Sequence, residues 1–373
     1  MRVPSLLAAA TLLTSPVAAP GPTHPHAQAW VEAVALRARA GVTVCAVRDE
    51  RLDELSGMVA VGSGFVVVND GSDFADRRKI FYLNSGCRVT RTVSYPSRPR
   101  DTEDLARGSD GTLWVADIGD NGGSRSTIAL WKLAPGAKKP VLLRMSYPDG
   151  AHDAEALLVT GDGTPIVITK SGGTAELYTP TAALRGGSTT PLKKAGEVTL
   201  PITTTSNPFS FLGRAVVTGA ATSPDGRHVV LRTYADAFEF DVEDGDVIGA
   251  LTSGTPRQIP LPNEPQGESV TYSADGTSLL TVSEASGDGS EEPVILGYAL
   301  PDRPAVARAT PSAPSSSAVP PTTSAPAAGA AESPDEDGPP FDYIKVVAGA
   351  VGALALILAI VVVALYRRAR RSR

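Results

Sequence analysis

Apolar and polar residues alternate in short runs through the middle of this chain, and the runs come in recurring phrases. The clearest is DTEDLARGSDGTLWVAD at 101–117. It reads as acidic residues, a short apolar strand, an Asp110-Gly111 turn and a stronger second strand. Asp-Gly between two apolar runs is a hairpin signal, and the period of two is that of half-buried strands. The phrase returns as DAEALLVTGDGTPIVITK at 153–170, VTGAATSPDGRHVVLRTY at 217–234 and QGESVTYSADGTSLLTVSE at 266–284, with a looser copy, ELSGMVAVGSGFVVVND, at 54–70.

Each phrase opens a unit of four short strands. The first unit has MVAV, FVVVND, KIFYLN and RVTRTVSY between 58 and 95, and the second runs from DLARG at 104 to VLLRMSY at 141–147. Units three and four follow from 156 and 219, and unit five begins with SVTYS at 269 but has only three strands. A spare strand, GVTVCAV at 41–47, stands before unit one. Regular sets of short strands predict an all-β chain, a β-propeller of five four-stranded blades over 42–300, in which the N-terminal strand completes the last blade. A β-sandwich is the alternative arrangement. At about 50 residues, each unit is close to the length of known propeller repeats.

The two ends of the 373-residue chain have another character. MRVPSLLAAATLLTSPVAA has a basic start, an apolar centre and small residues after it, as a secretory signal peptide does. The signal is assigned to 1–29, with Val17-Ala18-Ala19 or Ala27-Gln28-Ala29 as the cleavage site. A short segment, 30–41, follows, and AWVEAVALRARA at 29–40 could form a helix. Residues 301–340 are rich in Pro, Ala, Ser and Thr and lack large apolar side chains, so 301–343 reads as a disordered stalk. As polyproline II it would reach roughly 120 Å. Val346 to Leu365 is an unbroken apolar and small-residue run, and the span 344–366 is expected to be a transmembrane helix. RRARRSR at 367–373 would then lie in the cytoplasm. The expected location is the cell membrane, single-pass, with the N-terminal domain outside.

Between 42 and 300 there are 23 Lys and Arg against 33 Asp and Glu, a formal net charge of −10. That balance argues against nucleic acid and against docking on anionic lipid, and favours cations, cationic partners or neutral polyols. The two cysteines, Cys45 and Cys87, have no CxxC spacing. In an exported, ring-closed domain they are expected to form a disulfide across the seam between the last unit and the first.

Candidate chemistry follows from aligning the units. Eight residues before the turn glycine stand Ser56, Glu103, Glu155, Thr218 and Glu268. In a propeller these begin the innermost strands and point into the central channel. Two positions earlier are Glu54, Asp101, Asp153, Val216 and Gln266, while the second strands return to the same mouth at Asn69-Asp70, Asp117, Lys170, Arg232 and Glu284. The channel-mouth set is therefore Ser56, Glu103, Glu155, Thr218, Glu268, Lys170 and Arg232. Its carboxylates could hold Ca²⁺ or another divalent cation through Glu103, Asp117, Glu155 and Glu268, because Ca²⁺ takes six to eight oxygens. The same acids could pair with Lys170 and Arg232 in a purely structural role. No catalytic residue stands out: there is no HExxH, no GxSxG and no phosphate loop.

ELSGMVA, VVVNDG, DTEDLARGSDGTLWVADIGDN, DAEALL and QGESVTYSADG resemble segments of a family of exported actinobacterial, membrane-anchored β-propellers. More distantly they look like the propellers described as "esterase-like activity of phytase" and the lactonase-type propellers. The resemblance implies an acidic channel that binds a metal and sometimes supports hydrolysis of phosphate esters, esters or lactones. Glu103, Glu155 and Glu268 match that acidic position, and Ser56 and Thr218 depart from it. The expected function is ligand or partner binding outside the cell at the acidic mouth. Metal-dependent hydrolysis is the alternative, and a structural envelope protein a third reading.

Overall fold

The structure is a computed structural model that describes residues 41–285 and 292–300. The expected signal peptide, N-terminal helix, stalk, membrane span and basic tail all lie outside the described residues. Among the described residues, no helix is long and apolar enough to cross a membrane.

The described chain is all-β apart from one short α-helix and one 3-10 turn. Strands β2 (Leu55–Val61), β3 (Gly64–Asn69), β4 (Lys79–Leu83) and β5 (Val89–Ser94) form an antiparallel meander. The second is β6 (Thr102–Arg107), β7 (Leu113–Asp117), β8 (Ile128–Leu133) and β9 (Val141–Ser146). The third comprises β10 (Ala154–Val159), β11 (Pro165–Thr169), β12 (Thr174–Pro180) and β13 (Thr189–Thr199), and the fourth β14 (Gly219–Thr222), β15 (His228–Arg232), β16 (Asp236–Asp241) and β17 (Arg257–Pro260). The last three strands are β18 (Gly267–Tyr272), β19 (Ser278–Ser283) and β20 (Val294–Ala299). The spare N-terminal strand β1 (Val42–Ala46) completes their sheet, pairing antiparallel with β20 from Val42↔Gly297 to Ala46↔Val294.

Asp-Gly turns at 110–111, 162–163, 225–226 and 275–276 join first to second strands, each glycine at positive φ. In the first meander the left-handed residue is Gly62, so this hairpin is tighter than the other four. The first strands touch in cyclic order: β2 against β6, β6 against β10, β10 against β14, β14 against β18, and β18 against β2. Five hydrophobic cores fill the spaces between neighbouring meanders. Leu158, Val229 and Phe238 belong to the core between the third and fourth, for example. Leu55, Phe81, Val282 and Ile295 close the circle between last and first. The alternation seen in the sequence thus puts apolar side chains on both faces of each sheet, as stacked sheets require.

The seam also carries a covalent link. Cys45 on β1 is bonded to Cys87 in the β4–β5 turn, with Cα atoms 5.8 Å apart. It ties the last sheet to the first, as the sequence implied. Three features were not expected. Helix α1 (Val247–Ser253) is inserted between β16 and β17, capped by the Asp246 side chain accepting from Gly249 N, and its Val247 and Leu251 join the core between the third and fourth meanders. The long β13 pairs in parallel with β9 over Thr189–Pro191, joining two meanders into one eight-stranded sheet. A long link, 201–218, separates β13 from β14 and is pinned by Thr203 and Thr205 to Asp236.

Candidate functional site: an acidic cup at the start of the inner strands

Each first strand runs from one mouth of the ring to the other, so its opening residues share one mouth. A β-bulge interrupts four of these strands at the aligned position. The pairing register shifts between Leu55 and Gly57, Thr102 and Asp104, Ala154 and Ala156, and Gly267 and Ser269, which leaves Ser56, Glu103, Glu155 and Glu268 as the extra residues. A bulge re-aims its side chain, and three of these four are carboxylates.

Glu103, Glu155 and Glu268 are buried, at 3, 4 and 4% exposure, yet they face one another and further acids. Donor oxygens of Asp70, Asp101 and Glu103 lie within 4.8 Å of one another. Asp70 comes from the end of β3 and Asp101 from the turn before β6. Burial pushes the Glu103 carboxyl well above the usual carboxylate range, and Asp70, Glu155, Asp101 and Glu268 push in the same direction. Asp70 is raised well above its ordinary value, first by burial and then by Glu268 and Asp101. Asp101 is raised to about 6 by burial and by Asp153, against a hydrogen bond from Asp70 and the nearby charge of Arg125. Burial raises Glu155 to about 8 although Lys170 Nζ contacts its Oε1. The other oxygens, Glu155 Oε2 and Glu268 Oε2, are buried and accept no hydrogen bond.

The cup depends on glycine. A Cβ at Gly119 would sit 2.0 Å from Glu103 Oε1 and 2.7 Å from Asp101 Oδ2, so any larger residue there displaces both acids. Gly71 is similarly closed by Asp101 Oδ1. The loop that presents Gly119 is organised by Asp120, which accepts from Arg125 N and Ser124 N, and by Arg125, whose guanidinium binds Gly119 O.

The structure divides the sequence candidates. Glu103, Glu155, Glu268 and Lys170 come together at the mouth, joined by Asp70, Asp101 and Asp153. Asp117 does not join them. Its Oδ1 pairs with Arg125 at 2.9 Å, and its carboxylate accepts from the backbone N of Arg100 and Asp101 and from Trp131 Nε1. It fixes the corner leading into β6 and is no ligand candidate. Arg232 is also withdrawn, fully buried and bound to Glu264 Oε2 at 3.0 Å and Ser269 O at 2.8 Å. The hydroxyls of Ser56 and Thr218 donate to Glu103 O and Gly267 O on neighbouring inner strands, so they stitch the ring and do not line the cup.

One residue that sequence alignment passed over lies just below. Asp104 is fully buried, and its Oδ2 accepts from Leu157 N on β10 at 2.8 Å and Ala220 N on β14 at 3.3 Å, while Oδ1 accepts from Leu105 N. Burial raises it to about 8 against those three donors. Its carboxyl bridges three inner strands inside the ring. A cavity of about 860 Å³ lies at the other mouth, among the hairpin turns, lined by Leu105, Arg107, Ser109, Val159, Arg227 and Tyr272 among others.

No family model and no curated protein matches this chain. Solved structures do. A streptogramin B lyase is 14% identical over 65% of this chain and 65% of its own, with a TM-score of 0.33. A luciferin-regenerating enzyme is 14% identical over 66% of this chain and 78% of its own, at 0.38. A gluconolactonase from Xanthomonas campestris is 15% identical over 65% and 71%, also at 0.38. The chain thus spans slightly less than two thirds of the lyase it matches. These are weak likenesses and carry no chemistry across. The propeller-like organisation stands on the strand order and the cyclic packing above.

Proposed function

We propose that this chain is an extracytoplasmic, five-bladed β-propeller of the kind exported by actinobacteria, held to the cell membrane by the 344–366 span. It binds a ligand or partner through the acidic cup. The five meanders are read as the five blades. The observation that carries the binding assignment is the convergence of Asp70, Asp101, Glu103, Glu155 and Glu268, of which Glu155 is paired with Lys170, with two buried carboxylate oxygens left without hydrogen bonds. Buried carboxylates of like charge are costly unless something neutralises them. Protons do so in part, and a divalent cation does so better. An all-oxygen set of this kind suits a hard cation such as Ca²⁺, held by Asp70, Asp101 and Glu103 with Glu268 beside them. With the cation in place, an open coordination position would take a carboxylate or phosphate oxygen of a ligand outside the cell.

Thermal melting of the full-length protein tests this. Ca²⁺, Mn²⁺ or Mg²⁺ at 100 times Kd raises stability by about 2.7 kcal/mol, and Asp101→Asn or Glu103→Gln removes most of that gain. Equal melting with and without each ion in the wild type refutes cation binding.

Metal-dependent hydrolysis of phosphate esters, esters or lactones is the second reading, favoured by one observation. Asp70 and Asp101 lie together with Glu103, and burial and the neighbouring acids raise both carboxyls, the direction a general acid requires. Turnover of generic phosphate and ester substrates, abolished in Asp70→Asn, would establish it.

A further inference from the structure

The β7–β8 loop reaches the cup at Gly119, and it is anchored on both sides of a stretch that is not. Asp120 is buried, donates its N–H to Asp153 Oδ1 and accepts from Ser124 N and Arg125 N. Arg125 is buried too and holds Gly119 O and the Asp117 carboxylate. Between these anchors Asn121, Gly122 and Gly123 are exposed. The Gly123 N–H closes a turn onto Asp120 O at 2.9 Å. The Gly122 N–H and the Asn121 side-chain amide make no hydrogen bond among the described residues. Nor is Gly122 crowded, since a Cβ built there would meet only Ser124 Oγ, at 3.8 Å.

The other asparagines differ. Asn121 alone precedes a glycine. Asn69 is buried and donates to Arg51 O and Arg77 O. Asn84 is exposed, but its Oδ1 accepts from Gly86 N and Arg88 N. Asn207 precedes a proline, which has no N–H, and Asn263 Oδ1 accepts from Ser206 Oγ.

We propose that Asn121 is a site of spontaneous covalent modification, deamidation through a cyclic imide. The Gly122 nitrogen attacks the side-chain carbonyl carbon of Asn121. That C–N bond forms, the bond to the side-chain nitrogen breaks, and ammonia leaves with the proton that Gly122 N gives up. Water then opens the ring at either carbonyl and leaves an aspartyl or an isoaspartyl residue. Glycine favours the attack because no Cβ blocks the approach of its backbone. Water is the only co-reactant. Both products add a negative charge to the loop that flanks the cup. The isoaspartyl product also puts an extra backbone carbon inside the Asp120–Gly123 turn, so Gly119 loses its fixed place against Glu103 and Asp101. The assignment does not rest on cation binding.

Peptide mapping by mass spectrometry, with enzymatic isoaspartate methylation as a second readout, tests it on full-length protein aged at mildly alkaline pH. Conversion should be confined to Asn121 and should run about as fast in folded as in urea-unfolded protein, while Asn84 converts only in the unfolded chain. Gly122→Ala should slow conversion at Asn121 by ~10-fold or more. Circular dichroism checks that this exposed substitution leaves the fold intact. Aged wild type should melt below fresh wild type, and aged Gly122→Ala should melt with its fresh counterpart. An Asn121 that stays intact in the folded protein but converts in the unfolded chain overturns the site. Conversion with unchanged melting overturns its link to the cup.

Discussion

Asp104 is the residue on which the interior turns. Its carboxyl reaches two backbone N–H groups that the inner strands leave unpaired toward the channel. Asp104→Ala strands both donors, which at about 1–3 kcal/mol per unsatisfied buried group makes it one of the more damaging single changes in the ring. Asp104→Asn keeps an acceptor and should be far milder at neutral pH. Denaturant unfolding of the two variants checks the order. Nothing in the sequence marked Asp104 off from its neighbour Glu103. Adjacent acids on a bulged strand were read as one acidic feature, and only the fold shows that one enters the cup while the other bridges strands.

At the scale of elements, the strands were legible because each carries the period of two and ends at a glycine turn. The closing role of β1 was legible from unit five being one strand short. The bulges were not. A bulge is a mismatch between two paired strands, and the pairing register is not written in either strand alone. Asp117 was misplaced for a related reason. Its position at the end of β7 put it at the right mouth, but its partner Arg125 lies in a loop whose course the alternation pattern does not describe. Helix α1 had a signal in Asp246 and Gly254 at its ends, but seven residues are too few for a helical period to emerge. The cup itself, an element built from five strand starts, makes a pH prediction. Asp101 and Glu155 have folded-state pKa values of about 6 and about 8, above their unfolded values, so the folded protein holds extra protons between pH 4 and 8. Stability without added cation therefore falls as pH rises through that range. Urea midpoints measured from pH 5 to 8 should decline, and the decline should flatten in Glu155→Gln.

For the whole molecule, the seam is decisive. A ring assembled from sequential meanders must be closed by residues from opposite ends of the chain, and here β1, β20 and the Cys45–Cys87 bond do so. The bond closes a 42-residue loop, worth up to about 4 kcal/mol in the chain-entropy account. Replacing both cysteines by serine should lower unfolding free energy by about 2–4 kcal/mol while the cup keeps whatever affinity it has for the proposed cation, because the bond lies away from the inner strands. Loss of cation affinity in that variant would show that the seam also sets the inner strands.

The same closure has a mechanical side. The chain leaves the last sheet at β20, and β20 is the one strand flanked by partners from both termini, β19 on one side and β1 on the other. A tug on the polypeptide beyond Leu300 is therefore shared at once between two rows of backbone hydrogen bonds. Because β1 is bolted to the first meander by its cysteine, one of those rows passes the tension to the far side of the join. The exit strand works like a rivet set through two overlapping plates, and it cannot be pulled free without breaking both rows.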